Sequence, residues 1–188
     1  MVRWTRRTFL ATGSLSLAAA CTSRPAVDTP SSARRSAIDA AVAQALSDLH
    51  TIPGASQLVS SAQGVLIIPN IRQAGFWVGG AYGEGALLIG PATVAYYSMS
   101  LASFGFTFGA AAFNQALFFM TKEALEGFRV ADGWSLGVDG TVVGGDAGAS
   151  AGVSTLRSNR PIQELIFGQR GLIANVSLSG AKYNIITP

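Results

Sequence analysis

Three carboxylates, Glu84, Asp139 and Asp146, each interrupt a glycine-rich stretch of this 188-residue chain. Brought together by a fold, such groups could divide acid and base work on one substrate, which requires side chains that reach the same bond. Read singly, they are hydrogen-bonded turn carboxylates. His50 is the sole histidine and stands where a helix is predicted to end, a place where a cation interacts favourably with the helix dipole. A surface or capping role is expected of it. One histidine and one cysteine, Cys21, do not compose a zinc site. No metal or cofactor is expected, and the chain reads as non-catalytic.

The stretch "WVGGAYGEG", residues 77 to 85, holds four glycines and poses the question of a phosphate-cradling loop. A P-loop needs a lysine and a hydroxyl after its second glycine, and no lysine precedes Lys122. The glycines at 75, 79, 80, 83, 85 and 90 never take the dinucleotide-binding spacing either. They are expected instead to mark bulges, bends of a curved sheet, or points of close backbone approach.

Residues 1 to 20 have a basic start, a weakly apolar run from Phe9 to Leu17 and three alanines before Cys21, the pattern of a secretory signal peptide. Arg6 and Arg7 sit in "TRRTFL", which resembles the twin-arginine export motif. Cys21 follows "LAAA", which resembles a bacterial lipobox, so an acyl anchor on Cys21 is expected. Residues 21 to 35 then form the lipidated cysteine and a polar Pro/Ser-rich tether, and 36 to 188 a single domain. The expected location is the cell envelope, lipid-anchored at the outer membrane and facing the periplasm.

Arg3, Arg6 and Arg7 lie in the leader, and without them ten basic residues face ten acidic ones. A formally neutral mature chain lacks the basic face that nucleic-acid binding requires. Charged residues are only 12% of the whole, and none occurs from Gly85 to Thr121. That stretch is long enough to cross a bilayer, but Pro91, its glycines, Asn114 and Gln115 and a period of two argue for buried strands.

The elements follow from periodicity. Ile38, Ala41, Val42, Ala45, Leu46 and Leu49 recur at helical spacing and predict an amphipathic helix over 34–50. Pro53-Gly54 ends it, a second short helix runs to Ala62, and Gly64 is expected as its left-handed cap. "VLII" from Val65 is predicted as a strand stopped by Pro69-Asn70, and "FWVGGAY" as the next. "FGFTFGA" and "ALFFM" are predicted strands, Thr121 is expected to cap a helix over "KEALEGF", and "WSLGVDGTVVGG", "AGASAGVSTL" and "GLIANVSLSGAKYNII" alternate as strands. Helices followed by consecutive strands define an α+β domain. Its N-terminal helices pack on a strongly curved, mainly antiparallel sheet or partial β-barrel.

"AQGVLIIPNIRQAGFWVGGAYGEGALL", "GFTFGAAAFNQALFFMTKEALEGF", "WSLGVDGTVV" and "RGLIANVSLSGA" together resemble the SYLF domain, in that family's order and spacing, over about residues 40 to 184. The resemblance implies a domain that binds membrane lipid, with phosphoinositide binding in eukaryotic members and actin binding in yeast ones. The eukaryotic lipid contacts lean on a basic amphipathic N-terminal helix. Here that helix carries only Arg34 and Arg35 at its start, then Asp39 and Asp48.

Outside the tether and the helix at Lys122, the basic residues Arg72, Arg157, Arg160, Arg170 and Lys182 are the candidates to meet phospholipid headgroups. Anionic lipid attracts each nearby cation by about 1 kcal/mol, so a group of them on one face would matter. Trp77 and Trp134 could insert at an interface, although large aromatics on strands belong more often to a core. Two functions therefore stand: a lipid-anchored envelope protein whose domain also binds phospholipid, or a scaffold lipoprotein that binds another envelope protein through a sheet edge or apolar patch.

Overall fold

The computed structural model describes residues 31–76, 78–104, 109–136, 142–146, 160–171, 178 and 180–188. Residues 105–108 of the predicted strand "FGFTFGA", all of "AGASAGVSTL", Trp77, Asp139, Arg157, Arg6, Arg7 and Cys21 lie outside the described residues.

Two helices, α1 (Ser31–His50) and α2 (Ala55–Ser61), precede four long strands, β1 (Gly64–Phe76), β2 (Val78–Ile89), β3 (Ala92–Phe104) and β4 (Gly109–Phe119). Helix α3 (Lys122–Val130) follows, then β5 (Trp134–Ser135), β6 (Val142–Asp146), β7 (Ile162–Gly171) and β8 (Lys182–Ile186). All the strands share one sheet in the order β5-β8-β3-β2-β1-β4-β7-β6, antiparallel except where β6 runs parallel to β7. The α+β class and the curled, mainly antiparallel sheet are as expected.

The curl is visible in side-chain reach. Tyr183 on β8 and Gln115 on β4 are four strand steps apart, about 19 Å in a flat sheet at about 4.8 Å per strand. Yet Gln115 Nε2 lies 2.7 Å from Tyr183 Oη. The sheet must therefore wrap, with both side chains on its concave side.

Strand alternation sorts the core into two layers. Leu66, Ile68, Phe113, Leu117, Phe119, Ile162 and Ile166 point into the concave interior. Val65, Ile67, Ala116, Phe118, Leu165 and Phe167 point outward and are covered by Ile38, Val42, Ala45 and Leu49 of α1 with Ala55 and Leu58 of α2. Helix α1 buries one stripe at the i, i+4, i+7, i+11 spacing that an amphipathic helix requires. Helix α3 plugs the interior. Its N-terminus is capped as expected, Thr121 Oγ1 accepting from the Ala124 N–H at 3.2 Å. Its Phe128 is the hub of an aromatic cluster, with ring centroids 4.8 Å from Tyr97 and Phe119, 5.3 Å from Trp134 and 6.1 Å from Tyr183. Trp134 is thus a core residue.

Several boundaries differ from the sequence expectation. Helix α1 begins at Ser31, so residues 31–35 belong to the helix and not to the tether. Gly64 is not a left-handed cap but the first residue of β1, and the left-handed residue is Gly54 at φ 86° before α2. Strand β1 does not stop at Pro69-Asn70. It continues through them as a bulge, with the register to both neighbours shifting between Ile67 or Ile68 and Ile71 or Arg72, and with Asn70 at φ 50°. "FWVGGAY" is accordingly divided between the end of β1 and the start of β2. The described part of the uncharged stretch 85–121 lies mostly in β2, β3 and β4, and no helix among the described residues is long and apolar enough to cross a membrane.

The glycines of "GEG" make room for that bulge. A Cβ on Gly85 would stand 1.9 Å from the Ile67 carbonyl oxygen, and one on Gly83 would stand 2.7 Å from Ile68 Cγ2. Close backbone approach is what the glycine-rich strand provides.

Candidate functional site

Cross-strand register places three of the five headgroup candidates on one line. Lys182 pairs with Ser100, Ser100 with Tyr82, Tyr82 with Arg72, Arg72 with Ala112, and Ala112 with Arg170. Residues directly opposite across strands share a face. Because Tyr183 and Ile71 point inward, the row lies on the outer, convex face. Lys182, Ser100, Tyr82, Arg72 and Arg170 are all exposed. Arg72 and Arg170 are two strand steps apart, about 10 Å, while Lys182 sits three steps further round the curve on the other side of Arg72. Arg160 is not part of the group. It precedes β7, whereas Arg170 is near its end, roughly 33 Å of extended chain away.

Helix α1 borders this row and is stapled to the sheet by its own cations. Arg34 Nη2 meets Glu84 Oε1 at 2.5 Å, and the Tyr82 hydroxyl donates to the same oxygen at 2.5 Å. The Arg34 guanidinium holds the Glu84 carboxyl below its ordinary range, and the tyrosine bond acts in the same direction. Arg35 lies over the Tyr96 ring, 5.8 Å from its centroid, and the Tyr96 hydroxyl donates to Asp39 at 3.0 Å. The two arginines that begin the helix are therefore engaged within the domain. By contrast, Arg72, Arg170 and Lys182 have no ion-pair partner among the described residues.

Beside Arg170 a polar groove of about 230 Å³ opens between α1 and the sheet, lined by Gln44 and Asp48 of the helix, Asn70, Asn114, Gly168 and Arg170. Three neighbouring strands lose regularity here. Strand β1 bulges at Pro69-Asn70, the β4–β7 register shifts between Ala112 and Asn114, and Gly168 adopts φ 65°. Asn114 ties them together. Its Oδ1 accepts from the Asn70 N–H at 2.9 Å, and its amide lies so close to Gly168 that a Cβ there would stand 2.8 Å from Nδ2. Bulges of this kind re-aim side chains next to sites. Asp48 accepts from Gln44 Nε2 at 2.9 Å.

Of the carboxylates considered for acid/base work, Asp139 lies outside the described residues. Glu84 is bound by Arg34 and Tyr82, and Asp146 is on β6, separated from β2 by β1, β4 and β7. Among the described residues no three His, Cys, Asp or Glu side chains gather into a metal site. His50 ends α1, exposed, with Nδ1 3.1 Å from Ser56 Oγ.

Sequence reasoning did not single out Glu164. It faces the concave interior, 6% exposed, and its Oε1 accepts from Gln115 Nε2 at 2.6 Å. Gln115 also meets Tyr183, so a polar triad sits inside the apolar core. Burial raises both the Glu164 and the Tyr183 pKa, which favours their neutral forms. Only the alternation of Ile162, Glu164 and Ile166 in "IQELIF" could have signalled an inward glutamate.

The helix-backed half-barrel has a plugged interior and an exposed basic row on its convex face. Residues 100–185, from within β3 to β8, match the family model described as Ysc84, Las17-binding protein actin regulator. That match covers 86 of the 188 residues and overlaps the stretch whose motifs resemble the SYLF domain. Comparison with curated proteins found no match.

Proposed function

We propose that this is a lipid-anchored envelope protein, acylated at Cys21 after twin-arginine export, whose SYLF-type domain makes a second, non-catalytic contact with phospholipid. The observation that carries this reading is the alignment of Arg72, Arg170 and Lys182, exposed and unpaired among the described residues, on one face of the sheet. Interfacial phosphates attract such cations by about 1 kcal/mol each. The ten residues from Cys21 to the start of α1 at Ser31 span at most about 35 Å, so an anchored domain stays beside its bilayer. The outer membrane, periplasmic side, is the location that fits.

Flotation of the full chain carrying Cys21→Ala tests the second contact apart from the anchor. Comigration with phosphatidylglycerol-containing vesicles, weakened by salt, is expected. A protein that stays at the bottom of the gradient at low salt, with every vesicle composition, refutes the reading.

A further inference from the structure

The groove beside Arg170 carries both signs of charge, and its lining differs from the all-basic row. We infer that it is a headgroup subsite for a phosphodiester bearing a primary ammonium, the phosphoethanolamine chemistry, with Arg170 on the phosphate and Asp48 on the ammonium. The inference rests on the phospholipid-contact reading and names the headgroup it takes.

Asp48 is the first observation. It lies in the last turn of α1, where the helix dipole opposes a carboxylate, yet no cation pairs with it among the described residues. Its only side-chain hydrogen bond there comes from Gln44, which leaves the carboxylate acceptor capacity toward the groove it lines. The second is Arg170, which lines the same groove and is likewise without an ion-pair partner among the described residues, although both side chains border one space. Two opposite charges that share a groove without meeting fit a ligand with both complementary charges. The third is the geometry of the floor. Three strands depart from regular pairing to hold it, with Asn70 and Gly168 both in the left-handed region.

A primary ammonium offers three hydrogen-bond donors to Asp48 and the amide of Gln44, whereas the quaternary ammonium of phosphocholine offers none. A phosphate with a glycerol in place of the amine leaves Asp48 facing hydroxyls without a charge. At about 230 Å³ the groove has room for a phosphate and a two-carbon amine arm, and not for an acyl chain as well.

The test uses the full chain with Cys21→Ala and vesicles of phosphatidylcholine with phosphatidylglycerol, in which part of the phosphatidylcholine is replaced by phosphatidylethanolamine. The replacement is expected to strengthen binding roughly five-fold, the scale of one half-exposed ion pair. Asp48→Asn, which keeps the Gln44 bond, is expected to lose that gain while binding ethanolamine-free vesicles like the parent. Soluble phosphoethanolamine, followed by NMR shifts of the groove residues, separates the groove from the membrane contact. Asp48-dependent shifts without any vesicle binding would retain the subsite while the membrane reading fails. Absence of a gain from phosphatidylethanolamine, or a gain that Asp48→Asn retains, overturns the subsite even where the basic row still binds vesicles.

Discussion

A single methyl group, added at two glycines, should shift stability in opposite directions. At Gly85 a Cβ would stand 1.9 Å from the Ile67 carbonyl oxygen and 2.8 Å from Ile68 Cα, all backbone atoms of the bulged β1. Relief to an ordinary contact needs about 1 Å of movement in a strand paired on both sides, so Gly85→Ala should reach the upper end of overpacking costs, about 3 kcal/mol. At about 2–4 °C per kcal/mol, the melting temperature should fall by roughly 6–12 °C. Gly127 lies in α3 with nothing within 4 Å of its would-be Cβ. There alanine removes a helix penalty, and Gly127→Ala should stabilise by about 0.5–1 kcal/mol. Thermal unfolding of both variants, followed by circular dichroism, reads the two signs side by side. A Gly85→Ala protein that melts within 2 °C of the parent, by this scale under about 1 kcal/mol, would refute the account of why the strand is rich in glycine.

Other perturbations have equally definite outcomes. Phe128→Ala empties the hub of the aromatic plug and should cost about 3–5 kcal/mol in urea unfolding, with little change for the neighbouring exposed Val130→Ala. The two carboxylates with shifted pKa give opposite pH signatures. Glu164 is raised by burial, so its contribution is full below the unfolded value near about 4.3 and declines as pH rises towards its folded value; Glu164→Gln should flatten that decline and raise stability at neutral pH. Glu84 is lowered by Arg34, so its contribution is present above about 4.3 and is lost on acidification. Arg34→Gln should remove it, at a cost under about 1 kcal/mol for so exposed a pair, and more salt should shrink the difference. Urea midpoints measured from pH 3 to 9 check both signs.

Local signals were legible in the sequence and cross-strand ones were not. The stripe Ile38, Val42, Ala45, Leu49 and the Thr121 cap are set by neighbours a few residues away, and the structure shows both as expected. The curved sheet followed from glycine-rich alternating strands. Strand β1 running on through Pro69-Asn70 was hidden, because a proline tolerated at a bulge looks like a proline that ends a strand. Strand β7 was hidden because Gln163 and Glu164 interrupt the apolar run of a strand buried on both faces. The candidate cations could be named, but their row could not. Arg72 and Arg170 are neighbours only through Ala112, and Lys182 joins them only through Ser100 and Tyr82, contacts that depend on register. Asp48 and the groove it borders depend on where α1 crosses the sheet, which no local pattern encodes.

The most direct measurement is vesicle partitioning of the Cys21→Ala chain against the same chain with Arg72→Gln and Arg170→Gln, at low ionic strength on phosphatidylglycerol-containing vesicles. Two interfacial cations at about 1 kcal/mol each give a loss of about 30-fold. Neutralising Lys122 and Arg129 of α3, which are exposed but off the row, should leave partitioning within about two-fold, since only cations close to the surface contribute. Equal losses from the two pairs, or no loss from Arg72 and Arg170, would contradict a phospholipid contact made by this face of the sheet.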